Sequence, residues 1–148
     1  LKRNRWFMNY SVVALLILAL SLGGLRIVNT ERSEALELTD IQTKSGQFMN
    51  YVYAFDTYYQ ANSGVNGDVT ASVPLPTWLP KNSGIKMYVS NKVGYVYMPV
   101  SKGIFNEVLK ITDFSSAVGV TDASSINTVS GKVSKPGFIG INNIVYVR

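Results

Sequence analysis

Ser83 and Lys86 come nearest, by residue type and spacing, to a catalytic motif. The segment Ser83-Gly-Ile-Lys86 matches the S-x-x-K pattern of serine acylating enzymes, in which the serine begins a helix and the lysine lies one turn further on. Gly84 and the apolar and polar alternation after it predict instead the start of a strand, which separates the two side chains. A secreted enzyme that uses Ser83 and Lys86 is therefore our third hypothesis for function, behind two non-enzymatic ones.

Other catalytic chemistry is limited by what the chain lacks. It contains no histidine and no cysteine, which excludes a Ser-His-Asp triad, an imidazole or thiolate metal site, a cysteine nucleophile and a disulfide framework. Glu34, Glu37 and Asp40 lie close together in sequence, but their spacing is typical of a solvated helix face. We therefore expect no enzymatic activity, no cofactor and no metal site.

Aromatic residues are concentrated in one segment that has helical periodicity. Phe48, Phe55 and Tyr59 share a stripe and are expected to cover a sheet. Tyr51, Tyr53 and Tyr58 fall off that stripe, and together with Trp78 they form a candidate partner surface, although packing inside the domain is the alternative. With only Lys44 nearby, a surface that stacks nucleic-acid bases is not expected.

These residues must be positioned by a helix, a loop and a sheet. The pattern predicts a helix from Thr30 to Ala61 with Gly64 as a left-handed cap, and then a proline-rich loop from Val65 to Gly84 that is pinned by Leu75, Trp78 and Leu79. It further predicts a hairpin around Ser90-Asn91-Lys92, a short helix over 102–111, and strands near 85–89, 93–98, 117–121, 128–133, 138–141 and 144–147. The predicted fold is α+β: a long amphipathic helix packed on a small, mainly antiparallel β-sheet, a pilin-like architecture.

The net charge has an uneven distribution along the 148 residues. Of the formal +5, residues 1–28 contribute four Lys or Arg and no acid, whereas residues 29–148 contribute ten basic and nine acidic residues. The basic balance therefore belongs to the start of the chain, and the folded part is not expected to bind nucleic acid.

Residues 6–28 are predicted to be a transmembrane anchor. The uncharged run from Trp6 to Leu25 is long enough to cross about 30 Å of hydrocarbon as a helix. Trp6 and Tyr10 suit the membrane interface, and the other residues assigned to the anchor are Leu15, Leu16, Ile17, Leu18, Leu20 and Leu22. A cleaved signal peptide and a buried soluble helix are the alternatives.

The charges that flank this run predict a topology. Lys2, Arg3 and Arg5 form a basic leader, residues 1–5, which the positive-inside rule assigns to the cytoplasm. The remaining domain, residues 29–148, is then expected in the periplasm. A start at Met8 would remove the leader and weaken this argument.

Several segments resemble the PilM proteins of type IVb (thin) pilus operons, which are unrelated to the actin-like protein of the same name. The similar segments are Tyr51 to Val69, Leu75-Pro-Thr-Trp-Leu79, Gly94-Tyr-Val-Tyr97, Ala117 to Thr121 and Ile144 to Val147. The resemblance implies one N-terminal membrane segment and a scaffold role in the pilin transport apparatus or the pilus base at the inner membrane. It carries over no catalytic residues.

The main hypothesis is thus a non-enzymatic, single-pass inner-membrane protein whose periplasmic domain binds pilus assembly proteins or pilin. The alternative is a minor pilin-like subunit that enters the filament, although Lys2, Arg3 and Arg5 would be costly to bury in a filament core. A homo-oligomer is left open.

Overall fold

The computed structural model describes the backbone of residues 2–148 and the side chains of residues 31–148. The predicted basic leader and the predicted anchor therefore lie outside the described side chains. Within the described residues, no helix is long and apolar enough to cross a membrane. The chain forms two compact units, residues 1–40 and residues 41–148, and the sheet and its core belong to the second.

The described chain forms a long helix, a second helix and a seven-stranded sheet. Helix α1 spans Lys2–Ala61 and helix α2 spans Ile104–Ile111. The strands are β1 (Gly67–Asp68), β2 (Lys86–Ser90), β3 (Val93–Pro99), β4 (Val118–Thr121), β5 (Ser125–Thr128), β6 (Gly131–Ser134) and β7 (Asn143–Val147). Their spatial order is β1-β2-β3-β7-β4-β5-β6, and each neighbouring pair is antiparallel. This confirms the predicted α+β class.

One stripe of α1 covers the first face of the sheet. Ser45, Phe48, Val52 and Phe55 recur at three and four residues and are all buried, because this spacing returns to the same side of a helix. Phe48, Val52 and Phe55 pack in one core with residues of β2, β3, β7 and α2, among them Met87, Val96, Ile104, Val108 and Ile144. The prediction that Phe48 and Phe55 cover the sheet is therefore confirmed, and Tyr59 packs against the same core as a partly buried residue.

The β2–β3 hairpin has the predicted position and a tight turn. Ser90 pairs with Val93, so Asn91 and Lys92 alone form the loop, and both adopt positive φ angles of 50° and 65°. Positive φ at both loop residues is the geometry of a type I′ turn, whose twist matches that of the strands.

The second face of the sheet is covered by the segment between β6 and β7. Phe138 stacks on Tyr88, with ring centroids 3.9 Å apart, and meets the Tyr95 ring edge-on at 5.5 Å. Ile139 is fully buried beside Ile126 and Val145 in a second, smaller core. Both faces of the sheet are thus covered, one by the helices and the other by a loop.

Three local predictions are wrong. The predicted strand 128–133 is centred on the turn between β5 and β6, and the predicted strand 138–141 is irregular because Pro136-Gly137 ends the extended run. Gly64 does not adopt a positive φ; instead, the Asn62 side chain donates a hydrogen bond to the Tyr58 carbonyl at the end of α1.

Candidate partner-binding groove

The Ser83 and Lys86 pair does not lie on a helix. Ser83 is exposed in a turn, and Lys86 is exposed as the first residue of β2, as the predicted strand entry requires. Glu34, Glu37 and Asp40 are exposed on α1, in agreement with a solvated helix face. Among the residues that the structure describes, no group of three His, Cys, Asp or Glu could hold a metal ion.

Three of the four aromatic residues of the candidate partner surface line one groove. Tyr53, Tyr58 and Trp78 contribute to a cleft of about 640 Å³ between α1 and the proline-rich loop. Its other lining residues are Asn50, Ala54, Thr57, Ala61 and Asn62 on the helix side and Pro74, Leu75 and Pro76 on the loop side. The groove is large enough for several side chains of a partner.

The fourth residue, Tyr51, is not part of an exposed surface. It is only 2% exposed, and its hydroxyl accepts a hydrogen bond of 2.7 Å from the backbone N–H of Asn82. The expectation fails because a residue beside the apolar stripe still faces inward when a loop crosses the helix. Tyr51 instead helps to hold the loop that forms the second wall of the groove.

Further contacts fix that loop against α1. The Gln47 side chain donates to the Pro80 carbonyl at 2.7 Å, and the Asn82 side chain donates to Gln47 at 3.3 Å. Leu79 is buried in the main core and donates its backbone N–H to the Pro76 carbonyl at 3.1 Å. Prolines preorganise such a segment because their φ angle is fixed, so the second wall is a defined surface.

Trp78 does not pin the loop, contrary to the sequence-based expectation. Its side chain is 68% exposed, whereas the neighbouring Leu79 is buried. Tyr53 on the opposite wall is 55% exposed. Two large, rigid aromatic side chains thus face solvent across an apolar cleft, and such residues are enriched in protein interfaces.

The surroundings of the groove are depleted of charge. Between Lys44 and Lys81 the sequence has two charged residues, Asp56 and Asp68, and neither is among the described lining residues. Asp56 forms an ion pair with Arg148, with 2.8 Å between Oδ1 and Nη1. Depletion of charge together with exposed Tyr and Trp is typical of the core of a protein interface.

Asp56 also joins α1 to the central strand β7. The Tyr146 hydroxyl donates to Asp56 Oδ2 at 3.2 Å. Partial burial of Tyr146 and the nearby carboxylate raise the pKa of its hydroxyl, and the bond with Asp56 raises the pKa of Arg148. The carboxylate of Asp56 therefore interacts with Arg148 and Tyr146 and does not line the groove.

Sequence reasoning missed the smaller residues of the groove. Ala54, Thr57 and Ala61 follow one another at three and four residues, a signal that was available in the sequence. Asn50, Pro74 and Pro76 gave no signal, because the fold of the loop decides whether such residues face α1 or solvent.

A family model, PilM, matches residues 16–147. The crystal structure of PilM from Escherichia coli B7A aligns with a TM-score of 0.61 at 15% identity, covering 76% of this chain and 94% of that one. That likeness shows the fold. The crystal structure of a PilM protein from Pseudomonas aeruginosa 2192 aligns with a TM-score of 0.47 at 23% identity, covering 71% of this chain and 91% of that one. Comparison with curated proteins gives no significant match.

Proposed function

Because the chain belongs to the PilM family, we propose that it is a non-enzymatic component of type IVb pilus biogenesis that binds other pilus proteins. The observation that carries the binding role is the groove, which presents Tyr53, Tyr58 and Trp78 without a charged lining residue in the described part of the chain. Desolvating such a surface is favourable, whereas desolvating a charged one is costly.

The proposal includes an anchor in the inner membrane. Within residues 6–28, the run from Trp6 to Leu25 is uncharged and long enough to span a membrane, and the basic residues Lys2, Arg3 and Arg5 favour a cytoplasmic N-terminus. Residues 29–148, with the groove, are then periplasmic. This arrangement would present the groove to pilus proteins at the outer face of the inner membrane.

The test is a chromosomal deletion that is complemented with the full chain. We expect the deletion to abolish or strongly reduce surface pili without lowering the amount of pilin, and the unchanged gene to restore them. A Tyr53→Ala, Trp78→Ala double variant should restore few pili, whereas Gln60→Ala, at an exposed position of α1 that does not line the groove, should restore them fully.

Normal piliation of the deletion strain would overturn the proposed function. Full piliation with the double variant, present in normal amount on an immunoblot, would overturn the role of the groove. If the double variant restores few pili, its amount in the membrane fraction is compared with that of the Gln60→Ala variant. Equal amounts show that the loss of pili does not come from loss of the protein.

A minor pilin-like subunit is the second candidate, favoured by a long helix followed by an antiparallel sheet. It predicts that the N-terminus is processed and that the protein is found in sheared pili. Mass spectrometry of the mature N-terminus separates the candidates, because an intact segment with Lys2, Arg3 and Arg5 excludes burial in a filament core.

A further inference from the structure

A second cavity, of about 480 Å³, lies on the face of the sheet that is opposite to α1. The β2–β3 hairpin contributes Ser90, Asn91 and Tyr95 to its lining, and the chain that follows β6 contributes Lys135, Pro136 and Phe138. Tyr95 and Phe138 pack against the second core, whereas α1 packs on the first. The cavity has the size of a small-molecule site.

Lys135 is the single charged residue among the described residues that line this cavity. Its side chain is half-buried, and Nζ donates a hydrogen bond of 2.5 Å to the Ile139 carbonyl. Its backbone N–H donates to the Ser124 carbonyl at 3.0 Å. Because both ends of the residue are held, the ammonium loses little conformational freedom when it binds a ligand.

The ammonium of Lys135 has unused binding capacity. A lysine carries three N–H donors, and the described structure uses one of them. No carboxylate of the described residues forms an ion pair with Lys135. The acid nearest in sequence, Asp122, accepts backbone hydrogen bonds and lies 4.0 Å from Nζ of Lys132. A positive charge that is partly desolvated without a counter-ion favours the binding of an anion.

The rest of the lining combines apolar and polar groups. Ser90 lies on the same face of the hairpin as Tyr88 and Tyr95, because the side chains of a strand alternate and Tyr88 pairs with Tyr95. No hydrogen bond joins the side chain of Ser90 or Asn91 to another described residue. An apolar ring can therefore pack on the aromatic side chains while its polar substituents meet free hydroxyl and amide groups.

The charge of the cavity distinguishes between possible anions. One unpaired ammonium balances one carboxylate, whereas a phosphate monoester carries a charge of about −1.5 to −2 at neutral pH. A phosphate would thus bring excess negative charge into a partly desolvated site. The described lining also contains no arginine, the residue that binds phosphate through two parallel hydrogen bonds.

We propose that this cavity binds a small monocarboxylate whose acid group is attached to a single ring. The carboxylate accepts hydrogen bonds from Nζ of Lys135, and the ring packs against Tyr95 and Phe138. The ring is either aromatic or a pyranose, as in a sugar acid. The site is separate from the groove, so this proposal does not depend on the proposed function.

The test is an amide NMR titration of the full chain in a non-ionic detergent. The probes are benzoate and D-glucuronate, with benzamide and D-glucose as their neutral counterparts and acetate as an acid without a ring. We expect saturable shifts at the amides of Asn91, Gly137 and Phe138 with at least one ring acid. Its neutral counterpart and acetate should bind about tenfold more weakly or less, because each lacks one of the two interactions. The ring acid that binds more tightly identifies the kind of ring.

Three variants test the role of the ammonium. Lys135→Gln removes the charge but keeps a hydrogen-bond donor, and it should weaken binding of the ring acid about tenfold or more. Lys135→Arg keeps the charge and should retain binding. Lys132→Gln, whose native side chain is 73% exposed and does not line the cavity, should leave binding unchanged.

Several results would overturn the proposal. One is binding of benzamide or D-glucose as tight as that of the matching acid, which would show that the charge is not used. Another is tighter binding of inorganic phosphate at the same amides. Unchanged affinity of the Lys135→Gln variant, or no saturable shift with any of the probes, would equally refute it. If Lys135→Gln does not fold, the comparison of the acids with their neutral counterparts still decides.

Discussion

Gly94 is a position where one added methyl group should measurably destabilise the fold. Gly94 lies in β3 and is buried, and it exchanges two backbone hydrogen bonds of 2.9 Å with Arg148. A Cβ atom there would lie 2.5 Å from Cε1 and Cζ of Phe55. Phe55 is 0% exposed, so its ring can move away only by displacing other core side chains.

The expected magnitude for Gly94→Ala follows from two opposing terms. Overpacking of a core by one methyl group costs about 1–3 kcal/mol, whereas replacing glycine lowers the entropy of the unfolded chain and returns roughly 0.4–1 kcal/mol. The net loss in the free energy of unfolding is therefore about 1.3 kcal/mol at the middle of these ranges, with limits of roughly 0 and 2.6 kcal/mol. The φ angle of Gly94 is not positive, so backbone strain adds nothing to this sum.

Urea unfolding of the full chain, followed by near-ultraviolet circular dichroism, measures this loss as a lower midpoint with an unchanged slope. Gly137→Ala is the matched control, since a Cβ there meets nothing within 4 Å and should change stability by less than about 0.5 kcal/mol. Phe55→Leu completes a double-mutant cycle: in that background, Gly94→Ala should cost about 1 kcal/mol less. An equal cost in both backgrounds would refute the assignment of the strain to the Phe55 ring.

Two further predictions concern hydrogen bonds. Tyr51→Phe should lower the free energy of unfolding by about 0.5–1.5 kcal/mol, because the N–H of Asn82 loses its acceptor. It should also loosen the groove wall, which would change the fluorescence emission of Trp78. Unchanged stability and emission would contradict the role of Tyr51 in positioning the loop. Asp122 accepts bonds from the backbone of Ser124, the side chain of Asn127 and the backbone of Ser125, which lower the pKa of its carboxyl from 3.8 to about 2, so carboxyl NMR should find it still ionised at pH 3. Its contribution to stability is complete above pH 3.8 and is lost as the pH falls through about 2, and Asp122→Asn should remove that part of the acid dependence.

The long helix was predictable because its evidence is local. The stripe through Phe48, Val52 and Phe55 repeats for several turns, and such repetition fixes both the element and its buried face. The β2–β3 hairpin was predictable for the same reason, since two alternating runs flank a short polar turn.

The β5–β6 hairpin and the segment around Phe138 were not predictable in this way. Val129 and Val133 read as strand residues but are 51% and 52% exposed, so their apolar character does not report burial. Phe138 and Ile139 read as a strand because they are apolar, yet they belong to a loop that lies across the sheet, in which Ile139 is fully buried and Phe138 is partly buried. Apolar residues indicate contact with a core, and that contact does not require a particular backbone conformation.

The candidate groove was predictable in part. The position of Tyr53 and Tyr58 around the helix was enough to separate them from the core stripe. The same criterion predicted wrongly that Tyr51 is exposed, because a loop buries it. The loop is tied to α1 through Gln47 and Asn82, across more than thirty residues of sequence. Side-chain pairings at that separation leave no periodic signal.

The position of β7 in the sheet sets the order in which this domain can be completed during synthesis. Its residues, 143–147, pair with β3 on one side and β4 on the other, so the two halves of the sheet do not touch each other before β7 arrives between them. Until then, β3 and β4 each present an unpaired edge, which is the kind of surface that chains use to aggregate. Closing such distant pairs is slow. Until residues 143–147 have been synthesised, the strands therefore form two separate half-sheets, and the exposed edges of β3 and β4 are where this domain is most open to aggregation.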